Sequence, residues 1–331
     1  MIRKNCFDLL RIFAALMVIH SHHFGMSFLT APFFRGWYSY GVIAVMIFFS
    51  ISGYLISQSF NRSSNYFDFI VKRVKRIFPA LVFCSFILVY FISPFFQNDA
   101  FQYLISEATL KNFLSMSLML SKNIPNMWLG YKQELAANPV LWTLPVEFLW
   151  YVIIGIALSI SNTWKMPATL LAACIAVVSF FPEIIKHMVF YTVPLFWLCS
   201  FGICFTIGSL LSLTEESWNK TKTKVLLLFL SVVFLYILKG KPEINTIGFA
   251  CIAVITIIFG VSYRDELVKG RFDISYGLYI WAWPVQATVT NFTDLGFYLS
   301  FIVTVIITGL ISLISWKYIE SPFLKRRNIA N

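Results

Sequence analysis

Residues able to do chemistry are few and widely spaced in this sequence. The sharpest set is Arg11-Ile-Phe-Ala-Ala-Leu-Met-Val-Ile-His20-Ser-His22-His23, an arginine and three histidines inside one apolar run. Ionisable groups in such a run are costly to bury, which makes them candidates for function. On a helix, the eleven steps from Arg11 to His22 leave about 20° after three full turns, so the two share a face about 16 Å apart along the axis. His20 points to the opposite side, and His23 is turned by about 120°. Asp8 extends the same stripe one turn earlier and can pair with Arg11. A structural Arg–Asp pair with a histidine bonded at the outer interface is the alternative to a reactive site. Three histidines diverging on one helix argue against a metal centre.

Three further clusters follow. Trp142-Thr143-Leu144-Pro145-Val146-Glu147 opens an apolar run and places Glu147 in its outer half, the depth expected for His22. A carboxylate there can orient an imidazole and raise its basicity, or be an isolated buried polar contact. Lys72-Arg73-Val74-Lys75-Arg76 puts Arg73 and Arg76 three apart at the cytoplasmic edge of the next span. Paired guanidiniums suit phosphates, although ordinary membrane topology or lipid headgroups account for the same residues. The small residues in Phe48-Phe49-Ser50-Ile51-Ser52-Gly53-Tyr54 allow close helix contact or approach of a ligand. The segments Ser275–Pro284 and Tyr318–Pro322 read as interfacial aromatics and a helix stop.

The elements that must hold these residues follow from composition. The chain has 331 residues, 59% hydrophobic and 12% charged, where soluble domains carry about 25% charge. A soluble enzyme and a disordered chain are both excluded. Apolar runs at 7–28, 40–60, 77–96, 140–160, 167–182, 189–213, 225–238, 246–263, 273–291 and 297–316 predict about ten transmembrane helices. The run 113–121 is too short to cross and reads as re-entrant or interfacial. With the N-terminus inside, eighteen basic residues fall on the cytoplasmic side and seven outside, so both termini are expected to be cytoplasmic. The same bias accounts for most of the net charge of +11, and nucleic acid is not an expected partner. The N-terminal run contains Arg11 and lacks a small-residue cleavage site, which favours a retained helix over a signal peptide. The six cysteines lie in or beside apolar runs, without metal spacing. The expectation is an all-α, polytopic membrane bundle forming one domain over 1–331.

Taken together, Arg11 with ten residues before His22, FFSISGY at 48–54, RVKRIFP at 73–79, WTLPVE at 142–147, SYGLYIWAWP at 275–284 and IESP at 319–322 resemble the acyltransferase 3 family of bacterial membrane O-acyltransferases. The motifs come in the family's order and span nearly the whole chain. The resemblance implies a multi-pass protein of the bacterial inner membrane. It implies transfer of an acyl group, usually acetyl, from cytoplasmic acyl-CoA to a hydroxyl of a glycan or lipid-linked saccharide on the far side. Acetyl-CoA is then the donor, membrane lipids surround the bundle, and no metal is required. Arg11 and His22 correspond to the family's essential pair, Arg73 and Arg76 with neighbouring Lys72 to its CoA-phosphate contacts, and Glu147 to its acidic position. His22 would act as general base aided by Glu147, or carry the acyl group itself. Two departures stand out. Ala282 occupies a position where many relatives have histidine, and the chain is expected to be of the stand-alone type, without a C-terminal esterase-like domain. The alternative from a different class is a proton-coupled transporter or flippase using Arg11, His22 and Glu147 as a relay; a lipid-linked glycan polymerase is a third.

Overall fold

The computed structural model describes residues 5–34, 36–132, 134, 136–241, 244–268 and 272–324. Arg3, Lys4, Arg35, Lys269, Arg271, Lys325, Arg326 and Arg327, part of the basic bias counted above, lie outside these. The described chain is built of helices. They are α1 (Phe7–Met26), α2 (Tyr40–Asn61), α3 (Tyr66–Phe86), α4 (Ala100–Ile105), α5 (Glu107–Ser117), α6 (Thr143–Ile160), α7 (Lys165–Phe180) and α8 (Pro182–His187). The remainder are α9 (Leu195–Leu213), α10 (Glu215–Trp218), α11 (Thr221–Ile237), α12 (Ile244–Ser262), α13 (Ser275–Phe292), α14 (Phe297–Ser315) and α15 (Ser321–Leu324). Two short antiparallel hairpins, Phe33–Phe34 with Tyr38–Ser39 and Val189–Phe190 with Val193–Pro194, are the strands among the described residues.

Every one of the ten apolar runs contains a helix. Seven helical segments are long and apolar enough to cross a membrane among the described residues: Phe7–Met26, Tyr40–Asn61, Tyr66–Phe96, Pro139–Ile160, Leu195–Leu213, Ile244–Ser262 and Phe297–Leu324. The protein is a polytopic helical membrane protein. The other three expected spans are shorter or more polar. α7 has 16 residues and α11 has 17. α13 is interrupted by Gln286, Thr288, Thr290 and Asn291.

Two boundaries differ from the sequence expectation. The third span begins at Tyr66, not near 77, so Lys72, Arg73, Lys75 and Arg76 sit inside a helix and not in a loop. The cause is local capping close to a capping box: the Asp68 amide donates to the N-cap Asn65 Oδ1 (2.9 Å) and the preceding Ser64 amide donates to Asp68 Oδ2 (3.0 Å). The sixth span begins at Leu195, because residues 189–194 form a hairpin that ends at Pro194.

The chain divides into two compact units. The first comprises Met1–Val18, Pro32–Val71 and Val146–Arg271, and the second Ile19–Ala31, Lys72–Pro145 and Phe272–Asn331. In the first unit, α2 and α9 form the tightest crossing. A Cβ on Gly53 would lie 1.9 Å from Phe205 O, and one on Gly208 would lie 2.1 Å from Ser50 O. Only glycine lets these backbones touch. Gly53 opposes Phe205 and the Ser57 hydroxyl meets Ser209 (2.6 Å) with the same register offset, so α2 and α9 run parallel. Parallel spans need an odd number of crossings between them. α3, α6 and α7 supply three, which counts the 16-residue α7 as a span. In the second unit, α13 packs on α14 where Gly277 meets Ser312. Pro284 removes the amide that would satisfy Ile280 O, and the Asn138 side-chain amide donates to that carbonyl instead (2.9 Å).

Candidate active site

α1 is unbroken from Phe7 to Met26, so the common face of Arg11 and His22 expected from the sequence is present. Arg11 is half-buried in the first unit, one turn after Asp8, which is 3% exposed. His22 belongs to the second unit. Its half-buried ring stacks edge-on against Trp283, with centroids 5.1 Å apart, and its nitrogens make no hydrogen bond among the described residues. Trp283 is itself held by an indole N–H···O bond to Ala136 (2.9 Å). Ala282 is buried beside it. His20 lies among Phe24, Phe297 and Phe301. His23 is fully buried in a polar network with Gln286 and Ser300.

Glu147 lies in the first unit, five residues into α6. Its Oε1 accepts hydrogen bonds from the Ser52 hydroxyl (2.7 Å) and from the Tyr151 hydroxyl one turn along α6. Both donors are neutral, so the carboxylate is oriented without being paired to a cation in these contacts. Ser52 comes from FFSISGY, whose small residues therefore do two jobs: Gly53 admits α9, and Ser52 fixes Glu147. Sequence reasoning did not single out Tyr151. Its i,i+4 spacing from Glu147 was the available signal.

The arginine cluster sits on α3 in the second unit. Arg76 Nη2 pairs with Asp273 (2.6 Å) and Nη1 with Glu320 (3.5 Å). The guanidinium also lies over the rings of Tyr276 (5.7 Å) and Trp316 (6.0 Å). Glu320 is 1% exposed and accepts from Ser315 as well (3.1 Å). It is carried by a π-helical turn, Trp316–Glu320, an element that often re-aims a side chain at functional positions. The Tyr276 hydroxyl donates to Ile77 O (2.9 Å), and the Ser275 hydroxyl donates to Asp273 (2.6 Å). Three separate segments, 73–79, 275–284 and 319–322, thus converge on one guanidinium. Arg73 and Lys72 are half-buried on the preceding turn. Neither the interfacial reading of 275–284 nor the helix-stop reading of 319–322 captured this role. No group of metal ligands occurs among the described residues.

Fold and convergent motifs together define a membrane-embedded acyltransferase. The sequence profile described as an acyltransferase domain matches residues 4–317, and the chain belongs to the acyltransferase 3 family. It is 37% identical to an O-acetyl transferase of Shigella phage Sf6 over 98% of this chain and 97% of the relative. It is 28% identical to Nodulation protein 10 of Rhizobium leguminosarum bv. viciae over 98% of this chain and 94% of that protein. The match to the O-acetyltransferase OatA of Staphylococcus aureus is 23%, over 96% of this chain and 57% of the relative. No solved structure matches.

Proposed function

We propose that this protein is an acyl-CoA-dependent O-acetyltransferase of the bacterial inner membrane. It takes the acetyl group from acetyl-CoA on the cytoplasmic side, where both termini lie, and moves it to a glycan hydroxyl at the opposite side. What carries this reading is the near-full-length 37% identity to a protein named an O-acetyl transferase, joined to the face that Arg11 and His22 share on α1.

His22 is the general base. Its nitrogens are not committed to other groups among the described residues, and Trp283 holds the ring in place. The imidazole takes the acceptor's hydroxyl proton as the oxygen attacks the thioester carbonyl carbon. The carbon–sulfur bond then breaks, and the proton passes to the departing thiolate, giving an acetyl ester and CoA thiol. Glu147, oriented by Ser52 and Tyr151, is the acidic residue that the family resemblance assigns to the reaction. Arg11 lies about 16 Å down the same stripe and guides the pantetheine arm. Arg73 and Lys72 contact the CoA phosphates. Arg76 contributes charge to that site, but its two carboxylate partners give it the further task of fixing α3.

The test is purified protein in lipid nanodiscs with acetyl-CoA and a cell-surface glycan extract. Thiol release that depends on the glycan supports the reading. Glycan transport or polymerisation without thiol release overturns it.

A further inference from the structure

We infer that His23 and Gln286 are positioning residues that lock the His22 end of α1 against α13; this rests on the reading of His22 as the base. The Gln286 side-chain amide donates two hydrogen bonds to α1, one to Ile19 O (2.9 Å) and one to His23 Nδ1 (3.2 Å). His23 Nε2 lies 3.0 Å from Phe297 O and 2.9 Å from Ser300 Oγ. A backbone carbonyl only accepts, and an amide nitrogen only donates. The network therefore fixes His23 as the neutral tautomer with its proton on Nε2, donating to Phe297 O and accepting at Nδ1. The orientation of the Gln286 amide follows from Ile19 O, since a flip would set two carbonyl oxygens against each other.

Two features argue that this clamp serves the neighbouring base and not packing alone. Gln286 and Trp283 are one turn apart on the same face of α13, and they grip the successive histidines His23 and His22. Gln286 Oε1 is fully buried without a hydrogen-bond partner among the described residues. An apolar residue of the same shape would avoid that desolvation cost, so the site retains glutamine for its two donors. α13 is in turn pinned by Ala136 and Asn138 through Trp283 and Ile280. A small rotation of α1 would swing the His22 ring off Trp283, and misplacement of about 1 Å can cost about 100-fold in rate.

The experiment measures kcat and KM for acetyl-CoA in four variants, with melting temperature as the folding control. Gln286→Met and His23→Leu should lower kcat at least about tenfold and leave KM unchanged. His23→Gln supplies a donor and an acceptor in place of the imidazole, and should restore most of the activity lost in His23→Leu. His22→Ala, run beside them, should be inactive. If His23→Gln is as inactive as His22→Ala, His23 takes part in the chemistry and the clamp is wrong. Wild-type kcat in Gln286→Met overturns it as well. Should His23→Leu or Gln286→Met not fold, Ser300→Ala removes one partner of His23 and should still lower kcat without raising KM; equal kcat would overturn the clamp. A fully active His22→Ala instead refutes the underlying assignment of the base.

Discussion

Two charged centres of this protein are built in opposite ways. Glu147 is held, among the described residues, by the hydroxyls of Ser52 and Tyr151. Arg76 is held by two carboxylates, Asp273 and Glu320, and by two aromatic faces. Neutral donors fix a charge in direction and leave its field available to a reaction partner. Opposite charges neutralise it and turn it into a joint between segments. The first centre thereby keeps its charge available, and the second fixes α3 to α13 and to the turn after α14. In apolar surroundings this difference is large, because an uncompensated buried charge costs far more than a missing hydroxyl.

The comparison can be broken by substitution, and the expected effects fall in a definite order. The largest is at the base: His22→Ala should lower kcat by about 100- to 10,000-fold while the protein inserts and folds normally. Next is Arg76→Ala, which removes the guanidinium paired with Glu320 and Asp273. It should cost about 3–5 kcal/mol, seen as a lower melting temperature and poor yield in detergent. A double substitution with Glu320→Gln should recover part of that loss. If Arg76→Ala melts like the wild type and loses only acetyl-CoA affinity, Arg76 is a ligand contact and not a joint.

Smaller effects follow. Glu147→Gln keeps the size and the acceptor oxygen but loses the charge, and should lower kcat about 10- to 100-fold with little change in melting temperature. Arg73→Ala should raise KM for acetyl-CoA about 10- to 150-fold with kcat preserved, which matches the loss of roughly 1.5–3 kcal/mol expected for a charge-assisted bond. Ser52→Ala and Tyr151→Phe each remove one charge-assisted bond to Glu147 but leave the carboxylate and the other hydroxyl in place. Each should therefore lower kcat only a few-fold. A Ser52→Ala loss equal to that of Glu147→Gln would show that orientation, and not charge, is what this carboxylate supplies.

Much of this arrangement was readable from local pattern. The apolar runs contain helices, and the spacing of Arg11 and His22 survives because α1 has no breaker between them. The early start of α3 was also readable from Asn65 and Asp68, since such capping is a local signal. What could not be read were partners distant in sequence. Glu320 lies 244 positions from Arg76, and Gln286 lies 263 from His23. Nothing in a one-dimensional pattern says which buried polar groups meet. Pro284 announced an orphan carbonyl at Ile280, but not that Asn138 would fill it. The pairing of Ser52 with Glu147 was hidden in the same way, behind small residues that serve packing equally well.

The most direct measurement uses carbon-13-labelled acetyl-CoA with the purified protein and its glycan acceptor in nanodiscs, read by mass spectrometry of the glycan. The account predicts a glycan product carrying the labelled acetyl mass, formed with one equivalent of free CoA thiol, and its loss in His22→Ala. An unlabelled glycan, or a labelled one formed equally well by His22→Ala, would contradict it.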